Sequence, residues 1–232
     1  MKFLEQSIFY KDLFRYSLSQ SSHVINKNKQ LYLDNLSPTI PKTIHHVWFG
    51  HNKKPDIIEY CLKSCEFLKE FGYQFKLWDE SNFPLEKYPF AEQAYKHKKW
   101  AFVSDVARLH ATYYDGGIYL DTDMEVLKPF DDLLSQDAFC CQESPTLITV
   151  IALGAKKYNP VIKSFLDFYE TTNYSNLGYY RTANTRILYK IYHKLIIKHN
   201  LEQYIKIYPR DYFLGEKNDS DSYTVHHGTG LW

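Results

Sequence analysis

The chain has 232 residues, with 28 Lys and Arg set against 27 Asp and Glu. That length supports one good hydrophobic core, and a net charge of +1 gives no electrostatic case for nucleic acid as a partner. Aromatic residues make up 17% of the chain, a supply that serves both a core and ring-stacking surfaces.

The first twenty residues, MKFLEQSIFYKDLFRYSLSQ, carry Leu4, Ile8, Phe9, Leu13 and Tyr16, linked by three- and four-residue steps, and predict an amphipathic helix. Such a helix ordinarily packs on its own domain. Lys2, Lys11 and Arg15 support an alternative, peripheral contact of residues 1–20 with a membrane surface. The segment lacks the apolar stretch and small-residue cleavage site of a signal peptide, and no window of the chain reaches the roughly 18 apolar residues of a membrane span. Cys61, Cys65, Cys140 and Cys141 do not have zinc-site spacing, so they read as reduced thiols of a cytoplasmic protein, with the inner face of the membrane as the place for any peripheral contact. The polar stretch SSHVINKNKQ reads as a separator. It divides the chain into an N-terminal helical extension, residues 1–37, and a catalytic domain, residues 38–232.

Beyond Pro41 the pattern alternates. TIHHVWF predicts a strand over about 43–49, KPDIIEYCLKSCEFLKEFG a helix stopped by Gly72, and YQFKLWDE a second strand. WAFVSDVARLHATYYDGG predicts a helix closed by a glycine pair, and IYLDTDMEV a strand that ends before Pro129. Strands follow at DAFCCQE and LITVIALGA, helices at NPVIKSFLDFYETT and TRILYKIYHKLIIKH, and short strands near IKIYP and YTVHH. Strands and helices in alternation predict an α/β fold, a sheet with helices on its faces.

Asp121 and Asp123 interrupt an apolar run of Ile118, Tyr119, Leu120, Met124 and Val126, where charge is costly. At i, i+2 on an extended chain both carboxylates project to one side, so together they suit a hard divalent cation, Mn²⁺ or Mg²⁺, completed by substrate phosphates. Other readings of the same letters stay open. An EF-hand loop would need Gly where Val126 stands, a haloacid-dehalogenase-type sugar phosphatase would use Asp121 as nucleophile, and a bare D-x-D can be a solvated turn. His45 and His46 are adjacent on a strand, so they point to opposite faces and read as structural.

Three pieces, IPKTIHHVWFG, FVSDVARLHATYYDGGIYLDTDMEVLKPF and the terminal HHGTGLW, together resemble glycosyltransferase family 32, the group of capsular-polysaccharide and yeast mannosyltransferase-like enzymes. They are also similar to the glucosylating domain of large clostridial toxins. The resemblance implies a GT-A fold, with a Rossmann-like nucleotide-binding sheet flanked by helices. The implied reaction is metal-dependent, retaining transfer of a hexose or N-acetylhexosamine from a UDP-sugar to a glycan or lipid-linked acceptor, in bacterial capsule or lipopolysaccharide synthesis. A non-catalytic sugar-nucleotide binding protein is the remaining alternative.

The same resemblance implies roles for single residues. Trp48 stacks on the base, Ser104, Asp105 and Arg108 meet the donor sugar and its phosphates, and Tyr119 lies near the nucleotide. Asp121 reaches ribose and sugar, and Asp123 binds the metal directly. Asn184 and Thr185 line the sugar or acceptor side, or equally cap a helix. At the C-terminus His227, with His226 as the lesser candidate, serves as a metal ligand and Trp232 closes over the diphosphate, while Gly230 or Leu231 stands where a serine is expected. Loss of either aspartate is expected to abolish transfer and to leave the fold nearly intact, because the pair is read as lying at a strand end and not in the core.

Overall fold

A computed structural model describes residues 13, 15–17, 19–174, 184–217 and 219–230. Their first full helix, α1 (Ser22–Asp34), occupies the polar stretch expected to be a separator. It forms because Ser21 caps it, accepting from the Val24 N–H, and because Ile25 and Tyr32, two turns apart, are buried. Leu13, Tyr16 and Ile25 all enter the main core, so residues ahead of position 37 pack on the domain. Residues 1–12, 14 and 18, the rest of the candidate membrane-contact segment, lie outside the described residues.

Strand β1 (Thr43–Val47) leads to helix α2 (Asp56–Ser64), which tightens into a 3₁₀ turn over Glu66–Phe71 and stops at Gly72 with φ of 82°. Strand β2 (Gln74–Trp78), helix α3 (Pro89–Lys96) and helix α4 (Trp100–Tyr114) follow. The apolar run expected as one strand is two: β3 (Gly117–Leu120) and β4 (Met124–Val126). The break is a turn closed by the Met124 N–H donating to the Asp121 carbonyl at 3.1 Å. Strands β5 (Ala138–Ser144) and β6 (Leu147–Ala155) form a hairpin, followed by α5 (Pro160–Thr171), α6 (Asn184–Ile191), β7 (Lys206–Tyr208), α7 (Asp211–Leu214) and β8 (Thr224–His226).

Six strands make one mixed sheet in the order β2-β1-β3-β6-β5-β7. Strands β2, β1 and β3 run parallel, β6 is antiparallel to both β3 and β5, and β7 runs parallel to β5. Strands β4 and β8 pair antiparallel in a separate ladder, Met124 opposite His226. Side chains alternate across the sheet. Val47, Trp78, Tyr119 and Leu153 pack under α3 to α6, whereas Ile44, Ile118, Leu120 and Phe139 pack with Leu68, Phe213 and Tyr223 on the other face. Helices α3 to α6 therefore cover one face, and α2, the β4–β8 ribbon and short helical turns cover the other. Ligands of α/β sheets bind beyond the carboxyl ends of the strands, and here those ends are Val47 and Leu120.

Candidate active site

Past Leu120 the chain reaches Asp121, whose N–H still donates to the Ile151 carbonyl at 2.8 Å, so the first carboxylate is fixed by the end of the sheet ladder. Helix α4 presents Asp105 and Arg108, one turn apart, to the same point. The Arg108 guanidinium lies 3.3 Å from Asp105 Oδ1 and 3.1 Å from Asp121 Oδ1, and it crosses the Tyr119 ring with Cζ 4.8 Å from the centroid. Tyr119 donates to the same Asp121 oxygen at 2.5 Å, and the Asn184 amide donates to Asp105 Oδ1 at 2.9 Å. Five of the residues assigned to the sugar and nucleotide thus form one network, four of them on sheet and α4 and the fifth at the start of α6.

The network is buried: Asp105, Arg108 and Asp121 are each under a tenth exposed. Burial, opposed by Arg108 and Asn184, lifts the Asp105 carboxyl to about 6. Burial also lifts Asp121, against the pull of Arg108 and Tyr119. Two carboxylates sharing one guanidinium keep Arg108 charged and leave an excess of negative charge beside the sheet end.

Asp123 is fully buried. Its Oδ2 accepts from the Thr229 N–H at 2.9 Å and the Thr229 hydroxyl at 3.1 Å. Burial works to raise its carboxyl, but the His226 and Thr229 contacts outweigh burial and hold it below the ordinary value. Its other oxygen, Oδ1, faces His226 Nε2 at 3.4 Å, and both atoms are buried with no hydrogen-bond partner among the described residues. Asp121, Asp123 and His226 can each bring one ligand atom within 4.8 Å of the others. Two oxygens and an imidazole nitrogen suit Mn²⁺ or Mg²⁺, and two unpartnered buried polar atoms facing each other are what a cation would satisfy. The residues fit a divalent metal.

His227 is not in that set. Its Nε2 lies 3.1 Å from Glu125 Oε2, on the far side of the ribbon, so the metal candidate moves by one residue to His226. His227 lies one residue past β8 and turns its side chain to Glu125, while the His226 side chain faces Asp123. The sequence offered no means of choosing between them. It also pointed to Gly230 or Leu231 for the missing hydroxyl, whereas Thr229 supplies one, two residues beyond His227. Trp232 and Leu231 lie outside the described residues. His45 and His46 take the structural role expected of them. His45 Nε2 pairs with the Gly116 carbonyl while Nδ1 accepts from Trp78, and His46 Nδ1 pairs with the Leu120 carbonyl.

A cavity of about 200 Å³ opens beside these groups. Trp48 and Trp100 line it along with Lys53, Ser104, Arg108 and Asp121. Trp48 is half-buried, held by its indole N–H donating to the Asn52 carbonyl at 2.9 Å. Gly50, with φ of 96°, lets the Trp100 indole approach so closely that a Cβ there would sit 2.7 Å from it. Trp100 and Lys53 went unread in the sequence, since a tryptophan at a helix start and a loop lysine carry no pattern. Tyr169 went unread too: it is fully buried on α5, and its hydroxyl has no partner among the described residues.

A mixed α/β sheet, an acidic pair where one of its parallel strands ends, and an aromatic-walled cavity alongside define the layout of a GT-A glycosyltransferase. The chain belongs to the family described as "Glycosyltransferase sugar-binding region containing DXD motif", which matches residues 10–140. It is 34% identical over 139 residues to inositol phosphoceramide mannosyltransferase 3 of Schizosaccharomyces pombe, a match covering 58% of this chain and 38% of that protein. It is 34% identical over 110 residues to inositol phosphoceramide mannosyltransferase 1 of the same yeast, covering 43% and 33%. The chain thus spans little more than a third of the length of these relatives. Among solved structures it is similar in fold to the PaToxG glycosyltransferase, with a TM-score of 0.54 at 18% identity, over 87% of this chain and 86% of that one.

Proposed function

We propose that the protein is a metal-dependent glycosyltransferase that moves a hexose or N-acetylhexosamine from a UDP-sugar to a glycan or lipid-linked acceptor. The observation that carries this reading is the convergence of Asp121, Asp123 and His226 beside the cavity walled by Trp48 and Trp100. In this reading Trp48 offers a flat face to the base and Arg108 lies toward the sugar phosphate, with Asp105, Ser104 and Asn184 toward the sugar hydroxyls. Asp123, kept ionised by its contacts, is the direct metal ligand, and Asp121 and His226 complete the protein's share. A bound divalent cation would stabilise the negative charge that develops on the diphosphate as the anomeric bond breaks. Such a leaving group needs no strong general acid, which agrees with a pocket whose buried carboxylates are paired with Arg108. Retention of the anomeric configuration belongs to the same proposal.

A phosphatase using Asp121 as nucleophile is the weaker reading. The Asp121 oxygen Oδ1 is tied to Arg108 and Tyr119, and the family is one of glycosyltransferases. The acceptor proposal extends to bacterial capsule or lipopolysaccharide, and also to lipid acceptors, since two relatives are named for transfer to inositol phosphoceramide. We place the reaction in the cytoplasm. Among the described residues no helix is long and apolar enough to cross a membrane.

The reading is tested by incubating the protein with a panel of UDP- and GDP-sugars, mannose donors included, with Mn²⁺ or EDTA, and measuring free nucleotide and product. Chelator-sensitive turnover of one UDP-sugar is the expected result, with an unchanged anomer in the NMR spectrum of the product. Turnover insensitive to EDTA would remove the metal, and a GDP-sugar as sole donor would remove the uridine assignment.

A further inference from the structure

Glu125 follows Asp123 by two residues and is only 6% exposed, yet it has no part in the metal cluster. Three side chains from separate segments converge on it. Tyr60 of α2 donates its hydroxyl to Oε1 at 2.7 Å, Lys217 of the loop after α7 reaches the same oxygen at 2.7 Å, and His227 of the C-terminal tail pairs with Oε2 at 3.1 Å. Tyr60 also meets each of the other two. Lys217 Nζ lies 3.2 Å from the Tyr60 hydroxyl, and the His227 ring meets the Tyr60 ring edge-on at 6.2 Å.

His227 stands between the two tail residues that meet Asp123, since His226 precedes it and Thr229 follows by two. Among the described residues the stretch is otherwise held by the His227 N–H, which donates to the Asp123 carbonyl at 3.1 Å. Strand β8 holds only three register pairs with β4, and beyond it Gly228 and Gly230 have positive φ with open space around the Cβ position. A three-residue ladder followed by two glycines does not define where a tail sits to the few tenths of an ångström that metal ligation requires.

We propose that Glu125 is a positioning residue of the metal site. By clasping His227 and Lys217 against Tyr60, it fixes the tail so that His226 and Thr229 are delivered to Asp123. The inference rests on the metal-dependent reading above. Outer groups that orient metal ligands change affinity by about 10- to 100-fold when removed. A carboxylate that merely ties the tail for stability would change the melting temperature and leave metal affinity alone.

The test is direct Mn²⁺ titration in the presence of UDP, following free Mn²⁺ by EPR, with melting temperature measured on the same samples. Glu125→Gln is expected to weaken Mn²⁺ binding by about 10- to 100-fold, while its affinity for UDP without metal stays at the wild-type value. Lys217→Met, at a side chain 62% exposed and therefore safe for folding, is expected to weaken Mn²⁺ by a smaller factor. The double variant should bind no more weakly than Glu125→Gln alone, because both changes open one clasp. Wild-type Mn²⁺ affinity in both single variants, whatever their melting temperatures, overturns the role of Glu125. Failure of the wild-type protein itself to bind Mn²⁺, matched by Asp123→Ala, overturns the metal reading and this inference with it, so the two failures are distinguishable.

Discussion

Arg108 and Tyr169 sit in one buried neighbourhood, and their substitution should act in opposite directions. Arg108 neutralises two buried carboxylates, at 3.3 Å from Asp105 and 3.1 Å from Asp121. Removing one member of a buried ion pair leaves uncompensated charge and costs about 3–5 kcal/mol. Arg108→Met is therefore expected to lower the urea midpoint as well as to abolish transfer, and a variant that is inactive but fully stable would deny the arginine its electrostatic load. The same burial corrects the expectation that the aspartates lie outside the core: Asp121 and Asp123 are 5% and 0% exposed, so substitutions there carry a folding cost. Tyr169 presents the reverse case. An unpartnered buried hydroxyl is a penalty of about 1–3 kcal/mol, and Phe keeps the ring that packs on Phe90 at 4.9 Å. Tyr169→Phe should raise the stability of the ligand-free protein by about 1 kcal/mol in a urea titration, and a loss of stability would mean that the hydroxyl is satisfied.

Between the sheet and the tail runs a relay of elements whose first contact is a glycine. A Cβ on Gly154 of β6 would lie 2.1 Å from the Phe139 ring of β5, and that ring stacks at 5.6 Å on Phe213 of α7. The Phe213 carbonyl in turn accepts from the Thr224 hydroxyl of β8 at 2.7 Å. Gly154→Ala must push Phe139 off its seat, and overpacking of this kind costs about 1–3 kcal/mol. Denaturant midpoints should fall accordingly, and Phe139→Leu in the same chain should recover part of the loss. If the two changes add independently, the contact is not where the strain falls. No such contact could be read from a lone glycine in LITVIALGA. What the sequence did carry was periodicity. Strands β1, β2, β5 and β6 and helices α2, α4 and α5 lie close to where alternation and three-to-four spacing put them. Helix α1 was missed because only Ile25 and Tyr32 are buried in a polar stretch, and the β3–β4 break because both halves are apolar while each pairs with a different partner. The grouping of Asp105, Arg108, Tyr119 and Asp121 was legible through motif order, and Asn184 only as one of two open readings, the other being a helix cap. Thr229 and the choice of His226 over His227 were not, since both depend on the path of the chain as it leaves a three-residue strand.

At the scale of the whole molecule, buried titratable groups of opposite tendency set the response to acid. Burial pushes His46 and His110 down to about 4, so each is neutral in the fold and protonates in the unfolded chain near 6.5. Below that value the unfolded state binds more protons, and stability is lost as pH falls from about 6.5 to 4. Asp105, raised to about 6, has the opposite sign. The folded state takes its proton first, so acidification from about 6 toward 3.8 adds stability, and Asp167, raised mainly by burial against the pull of Lys163, acts in the same direction. The wild-type curve should therefore be shallow between about pH 6 and 4.5, and it should drop only where carboxylates held below their ordinary values, such as Asp123, finally protonate. Single variants unmask the opposing parts. Relative to wild type, His46→Asn should gain stability as pH is lowered from 7 to 4.5, and Asp105→Asn should lose it, each by at most about 3 kcal/mol. Urea titrations at pH 7, 5.5 and 4.5 measure both differences. Slopes of opposite sign follow from one proton each, whereas a difference that stays constant with pH would show that the residue does not titrate across the transition in the way its burial requires.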